Sequence, residues 1–407
     1  MERDYPVVNI NKKAEKLLRS GHPWVYGEET EGPFGPYENG DIVDVVTEKG
    51  SWMGAGFIND NSKIRVRLIS RNTNDRFDEA FWRRRVRYAI DYRKAVMGED
   101  FHCCRLIFGE ADTFPGVTVD LFEDVLVTEI LSLGMECIKP MLYRLLVEEL
   151  AKDGIKVNVI YERNEAAIRT KEGMELQKGF FQMDGLKNDT DGHVTINENG
   201  ILYDVDYING QKTGFFLDQK YNRLAAAKMA PGRRVLDCFT HTGSFALNCA
   251  KAGASHVKAI DISGDAIALA KKNAALNGLE GNMSFLKADV FDLLTEMANI
   301  GKKEYDFIIL DPPAFTKSRA TVRNAYNGYK EINMKAMKLL PRGGYLATCS
   351  CSHFMSADLF RQMLADAAKD AGVSLRQIEE RRQSPDHPIL WGVPETEYLK
   401  FYIFQVV

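Results

Sequence analysis

Arg234-Val235-Leu236-Asp237-Cys238-Phe239-Thr240-His241-Thr242-Gly243-Ser244-Phe245, followed by Val257-Lys258-Ala259-Ile260-Asp261, reads as a strand, a tight loop, a helix start and a second strand. An apolar run that breaks at a small-residue loop and resumes in a helical pattern is one βαβ unit. The same alternation continues outward. Strands are predicted at 233–237, 256–261, 283–287, 305–310, 343–349, 374–379 and 398–406, with helices between them. That order is the signature of a doubly wound, mainly parallel α/β sheet. Such sheets bind ligands at the carboxyl ends of their strands, so the residues there are the ones to read for chemistry.

The loop after the first strand is not a dinucleotide site. Pyrophosphate needs glycines that admit it to a helix N-terminus. Here Cys238 and Thr240 occupy two of those places and only Gly243 is glycine. Asp237 would repel pyrophosphate and attract a cation or an amino group. S-adenosylmethionine, with a sulfonium, an amino acid tail and no phosphate, suits this loop. Asp261 ends the second strand, where a carboxylate can accept both ribose hydroxyls. Asp289 ends the third and would meet the adenine amino group. The candidate cofactor contacts are Asp237, Phe239, Thr240, Gly243, Asp261, Ile262, Asp289, Val290 and Asp311.

The fourth strand ends in Asp311-Pro312-Pro313-Ala314-Phe315. Two prolines stiffen a turn and donate no hydrogen bonds, leaving carbonyls and a carboxylate to face a planar base taken from its stack. One strand further on stands Thr348-Cys349-Ser350-Cys351-Ser352. Methyl transfer to a base nitrogen needs only the Asp-Pro-Pro-Phe clamp. Transfer to pyrimidine C5 needs a nucleophile at C6, and a thiolate is suited to that. Cys349, Cys351 and Asp311 are therefore the catalytic candidates. Alternation places both thiols on one side of a regular strand, and only the one at the loop edge would reach a base.

The first 190 residues read differently. Val7–Ile10 is short and extended, a helix fits Asn11 to Ser20, and Asp41–Val46, Trp52–Ile58 and Lys63–Ile69 alternate at period two, which suggests a small β-barrel over 1–72. Residues 73–190 carry a basic helix from Phe77 to Met97, strands at 106–108, 117–121, 125–130 and 157–161, and a helix from Met135 to Asp153. They form an α+β middle domain. Asn199-Gly200 is a hairpin turn leading into the third domain, 191–407.

The chain has a net charge of −4, yet Ser62–Val96 holds eleven basic against four acidic residues. A basic face is the footprint of a phosphate backbone; a solvated surface is the plain alternative. Hydrophobic content of 45% excludes a disordered chain, and no apolar run reaches the length of a membrane span. The start, Met1-Glu-Arg-Asp-Tyr-Pro, has no leader-like apolar run. Seven cysteines without paired CxxC spacing indicate neither a disulfide framework nor a metal site, so a reducing cytoplasm is expected.

Five segments, in order, carry a family resemblance. They are Ser20-Gly-His-Pro-Trp-Val-Tyr26, Gly109-Glu-Ala-Asp-Thr-Phe-Pro-Gly-Val-Thr-Val-Asp120, Gln211-Lys-Thr-Gly-Phe-Phe-Leu-Asp-Gln219, Asp386-His-Pro388 and Glu397-Tyr-Leu-Lys400. With the strand-end motifs, the chain resembles class I S-adenosylmethionine-dependent methyltransferases of the ribosomal RNA large subunit methyltransferase I group, which act on cytosine C5. The resemblance implies an α/β, Rossmann-like class I methyltransferase sheet preceded by a PUA-like β-barrel and the middle domain. It implies that Lys212, Thr213, Phe216 and Asp218 fold over the cofactor, and it favours Cys351 as nucleophile. Other RNA cytosine methyltransferases have a Thr-Cys-Ser motif that matches Cys349 instead. Their Pro-Cys pair is absent here, since that place reads Asp311-Pro312-Pro313. The implied partner is large-subunit ribosomal RNA, with a second copy of the chain left open and no membrane. The RNA contacts expected are His22, Lys63, Arg65, Arg67, Arg83, Arg84, Phe315 and Lys317. Asp-Pro-Pro-Phe followed by Thr316-Lys317-Ser318 also resembles guanine-nitrogen methyltransferases of ribosomal RNA, and a non-catalytic RNA-binding assembly factor is a third reading.

Overall fold

The computed structural model describes residues 3–32 and 35–407. Met1 and Glu2, which open the N-terminal stretch read from the sequence, lie outside them. The chain groups into two compact units. One holds the residues through Val194 together with Val205–Leu217 and Pro385–Thr396; the other holds Thr195–Asp204, Asp218–Ser384 and Glu397–Val407. The chain thus passes between units several times; the sequence reading placed its boundaries after 72 and after 190.

The first unit opens with a barrel-like sheet of β1 (Val7–Ile10), β2 (Trp24–Tyr26), β3 (Thr30–Glu31), β4 (Ile42–Thr47), β5 (Trp52–Ile58) and β6 (Ile64–Ser70), in the order β2-β6-β5-β4-β1-β3. Helix α1 (Lys12–Arg19) starts where the Asn11 side chain accepts from Lys13 N and Ala14 N. Val8, Ile10, Leu18, Val25, Val43 and Val66 fill the core. At Gly56 any Cβ would meet the Arg67 carbonyl oxygen at 2.2 Å, so β5 and β6 pair this closely only with glycine there.

Helix α2 (Glu79–Met97), capped by Asp78, precedes a second sheet of β7 (Cys103–Phe108), β8 (Val117–Phe122), β9 (Val125–Ile130), β10 (Val159–Asn164) and β11 (Gln177–Phe180), ordered β11-β10-β9-β8-β7. The single helix expected over 135–153 is two, α3 (Leu133–Cys137) and α4 (Lys139–Lys152). Pro140 falls in the first turn of α4, where its missing N–H is harmless, and so marks a new helix start. A hairpin follows, β12 (His193–Glu198) and β13 (Ile201–Asp206), turning on Asn199 at φ +55° and Gly200 at φ +74°. Two left-handed residues in succession match the right-handed twist of the flanking strands.

The second unit carries the doubly wound sheet: β14 (Arg234–Cys238), β15 (His256–Asp261), β16 (Met283–Lys287), β17 (Phe307–Leu310), β18 (Tyr345–Ser350), β19 (Leu375–Arg381) and β20 (Lys400–Val406), in the order β16-β15-β14-β17-β18-β20-β19. The first five are parallel; β20 is antiparallel to both its neighbours. The sequence order reverses at β14, which opens a crevice beside its carboxyl end. Among the described residues no helix is long and apolar enough to cross a membrane.

Candidate active site at the carboxyl strand ends

After β14 the chain turns sharply. Phe239 (φ +64°), His241 (φ +50°) and Gly243 (φ +82°) all lie in the left-handed region, which non-glycine residues seldom adopt and which clusters at functional sites. The turn aims the His241 N–H at the Asp261 carboxylate, 2.9 Å away, and Ser263 N donates to the same group at 2.9 Å. Asp261 is thereby fixed at the end of β15, with the exposed side chain of Ile262 beside it.

Asp237 is buried. Its Oδ2 accepts from Thr240 Oγ1 at 2.5 Å and from Ala246 N at 3.0 Å, next to the N-terminus of α7 (Ser244–Lys251). Its Oδ1 has no hydrogen-bond partner among the described residues. Burial pushes its carboxyl up to about 7. A buried acceptor left open calls for a donor, and a cationic amino group supplies both the hydrogen bond and the charge. The residues present therefore fit the amino acid end of S-adenosylmethionine at Asp237 and its ribose at Asp261. Asp289 caps α9 (Val290–Ile300), accepting from Phe291 N at 2.8 Å. Val290, expected at the cofactor, has its side chain in the hydrophobic core instead.

Lys212, Thr213 and Phe216 belong to the first unit. There the Thr213 hydroxyl donates to Asp120 Oδ2 at 2.5 Å, and the Lys212 ammonium sits 4.7 Å from the centre of the Phe216 ring. Asp218 begins the second unit's main segment and accepts from the Tyr398 hydroxyl at 2.6 Å.

Parallel pairing sets Leu310 of β17 beside Thr348 of β18, so the Asp-Pro-Pro turn and the two thiols emerge together. The two cysteines are unlike. β18 ends at Ser350, so Cys349 lies inside the strand and Cys351 beyond it. Cys349 is fully buried and hydrogen-bonded to Asp311 and Gln219. Burial and the Asp311 charge push its thiol well up, which keeps it protonated and poorly nucleophilic. Cys351 is partly exposed, its Sγ 4.0 Å from the Pro312 carbonyl oxygen. Asp311 accepts from Gln219 Nε2 at 2.9 Å, and its carboxyl is pushed up to about 6, first by burial and then by Asp218.

Three residues at this end escaped sequence reasoning: Gln219, Tyr329 and Lys400. Tyr329, on α10 (Val322–Leu339), shares a 2.9 Å hydrogen bond with Ser352 Oγ. Lys400 is buried at the start of β20 and donates to the carbonyls of Ser352 and Tyr398, both at 2.7 Å. Lys400 and Gln219 stood inside quoted segments; Tyr329 carried no local signal. Phe315 packs 4.4 Å from the Tyr329 ring and 5.7 Å from Phe291, so it is built into a wall rather than projecting. Lys317 is exposed.

The basic segment 62–96 is not the free cationic face expected. His22 is buried, with Nε2 3.2 Å from Glu395 Oε2. Arg67 is buried against Glu172 at 2.9 Å and Glu110 at 3.3 Å. Arg83 pairs with Glu79, Glu148 and Glu149, Arg84 with Asp75, and Arg65 with Asp60. Arg87, Arg93 and Lys94 are likewise paired with Asp91 and Asp153, Asp112, and Asp153. Of the candidate RNA contacts on this segment, Lys63 alone is exposed with no ion pair among the described residues.

Residues 183–404 match the family model of S-adenosylmethionine-dependent methyltransferases, and residues 8–71 match that of PUA-like domains. The chain is 39% identical over 403 residues to a protein of Shewanella amazonensis named ribosomal RNA large subunit methyltransferase I, covering 98% of this chain and 99% of that one. It is 40% identical over 396 residues to the protein of the same name in Aeromonas hydrophila, covering 97% of each. Two solved structures share its fold at 20% identity. One, from Streptococcus mutans, is described as an S-adenosylmethionine-dependent methyltransferase by assignment and has TM-score 0.81, and the other, assigned as a methyltransferase and complexed with SAH, has TM-score 0.82; each match covers 98% of this chain and all of the other.

Proposed function

Because this chain belongs to the S-adenosylmethionine-dependent methyltransferases, in the group that includes ribosomal RNA large subunit methyltransferase I, we propose that it methylates C5 of a cytosine in large-subunit ribosomal RNA, with Cys351 as nucleophile. The contrast between the two thiols carries this reading. Cys351 is the partly exposed one, beside the Pro312 carbonyl, while Cys349 is buried and bonded to Asp311. The PUA-like domain supports an RNA partner.

Cytosine C5 is too weakly basic to take a methyl group unaided. The Cys351 thiolate forms a bond to C6, and the displaced electron pair makes C5 nucleophilic. S-adenosylmethionine, which Asp237 and Asp261 would hold, would supply an electrophilic methyl group to that carbon and leave as the neutral thioether. A base then removes the C5 proton, the C6–S bond breaks and the thiolate is regenerated. Asp311, with its carboxyl raised to about 6, is partly protonated near neutrality and donates to N3, stabilising the adduct. Its contact with Gln219 holds it in place.

Cys351→Ser is expected to abolish methyl incorporation into ribosomal RNA while Cys349→Ser retains most of it. Nucleoside mass spectrometry of ribosomal RNA from cells lacking the protein should show loss of 5-methylcytosine. Loss of an N-methylguanosine instead, with both cysteine variants active, would overturn the thiol mechanism in favour of direct transfer within the Asp-Pro-Pro-Phe turn.

A further inference from the structure

Lys400 is an unusual residue to find inside a protein. It is buried, yet among the described residues no carboxylate lies within ion-pair distance of its ammonium. Two of its three N–H groups are used on the carbonyls of Ser352 and Tyr398. A buried ammonium without a counter-ion is costly, so either it sheds its proton or it finds an anion. The two carbonyls supply dipoles but no charge. Glu397, the nearest carboxylate along the chain, is bound to Arg382 at 2.6 Å.

The register of the sheet decides what else lies near. Lys400 is the cross-strand partner of Ser350, and its ammonium caps the carbonyl of Ser352. It therefore brackets Cys351 from both sides in sequence. We propose that Lys400 is a positioning residue whose ammonium is the counter-ion of the Cys351 thiolate, holding that thiol ionised and oriented before substrate arrives. The proposal deepens the reading above, on which it rests for the use of the thiolate.

Each partner bears on the other. Burial lowers Lys400 to about 8, and the Cys351 charge is the largest influence opposing that fall, with Arg382 lowering it further and Glu397 raising it. The groups facing the pair from the other elements do not replace Lys400. Tyr329 on α10 is pushed up to about 12 and stays neutral, sharing a hydrogen bond with Ser352. Cys349 is protonated, and Asp311 is engaged with Gln219 and Cys349. Lys400 is a cation in direct contact with the turn that carries Cys351, through the Ser352 carbonyl. The carbonyl contacts also explain why a lysine here orients as well as ionises. They tie the last residues of β18 to the start of β20 across the point where the strand gives way to loop.

The test uses the free full-length protein, without RNA or methyl transfer, so it is independent of which base is modified. The rate of alkylation of Cys351 by iodoacetamide is followed against pH, with the peptide resolved by mass spectrometry. Wild-type Cys351 should titrate clearly below the ordinary thiol value of about 8.5. Lys400→Met should raise that midpoint by about one pH unit or more and slow alkylation at pH 7 about tenfold. Lys400→Arg should keep most of the wild-type profile. Superimposable profiles for wild type and Lys400→Met, at matched cofactor binding, would overturn the proposal. So would a wild-type midpoint at or above about 8.5, a result that stands even where the methionine variant fails to fold. If the profiles shift as expected while the cellular product is an N-methylguanosine, the ion pair stands and the cytosine reading falls.

Discussion

At the residue scale the site turns on three buried or half-buried ionisable groups pushed away from their ordinary states. Asp237 is raised to about 7, so in the free protein its carboxyl is protonated below that pH and ionised above it. Binding a cationic amino group requires the ionised form, so cofactor uptake near pH 6 releases a proton. Affinity for S-adenosylmethionine, measured by calorimetry, should therefore rise with pH up to about 7, by at most about tenfold per pH unit, and level off above. Asp237→Asn should flatten that profile and weaken binding about 10- to 100-fold, the loss expected for a hydrogen bond to a charged group. A steep profile that survives in the asparagine variant would assign the proton elsewhere. The linkage has a consequence for stability of the free protein. A carboxyl whose folded pKa is raised stabilises the fold only while protonated, so that contribution declines as pH climbs from about 4 toward 7.

At the element scale, position along the strand separates two cysteines that the sequence leaves equivalent. Period-two alternation holds as far as Ser350, and Cys351 gains its exposure because β18 stops one residue earlier. The helix end facing the cofactor loop has its own requirement. Gly243 stands at φ +82°, and a Cβ there would lie 3.1 Å from the Ala270 Cβ on α8 (Gly264–Leu276). Gly243→Ala should cost about 1–2 kcal/mol in stability from the left-handed backbone alone. It should also weaken cofactor binding, read as a lower midpoint in thermal unfolding and a smaller thermal shift on adding S-adenosylmethionine. Six of the seven strands of this sheet were legible from their apolar residues between turn signals, while β19, Leu375-Arg-Gln-Ile-Glu-Glu-Arg381, is mostly polar; the observed ends differ from the expected ones by about two residues or fewer. β11 was not: Gln177-Lys-Gly-Phe180 is a polar edge strand with no periodic signal, and only pairing with β10 makes it a strand. The break between α3 and α4 was readable in principle, since Pro140 is a start signal overlooked inside an apolar helical pattern.

At the scale of the whole molecule the lesson concerns charge. A count over 62–96 finds a surplus of cations, but the count stops at the segment boundary, and six further neutralising acids come from later in the chain. Glu110, Asp112, Glu148, Glu149, Asp153 and Glu172 fold back onto it from up to 105 residues away. Local composition predicts a phosphate-binding face only when the fold leaves its cations unpaired, and sequence separation hides that condition. The fold therefore assigns most of these arginines to stability. Arg93 is the extreme case: fully buried, it donates to Asp112 and to the backbone carbonyls of Arg105 and Asp386. Arg93→Ala should cost about 3–5 kcal/mol, because it leaves the Asp112 charge half-buried and unpaired. Arg83→Ala breaks contacts with the partly exposed Glu79 and Glu148 and the buried Glu149. It should lower the unfolding midpoint while leaving RNA affinity within about twofold, since no counterions are released by a charge already paired. Lys63→Glu should do the reverse, with stability unchanged, weaker RNA binding and a shallower dependence of affinity on salt. Filter binding over a range of salt concentrations, beside thermal unfolding of the same variants, separates the two roles. Weakened RNA binding by Arg83→Ala at an unchanged unfolding midpoint would return this segment to the phosphate-binding face that its composition suggests.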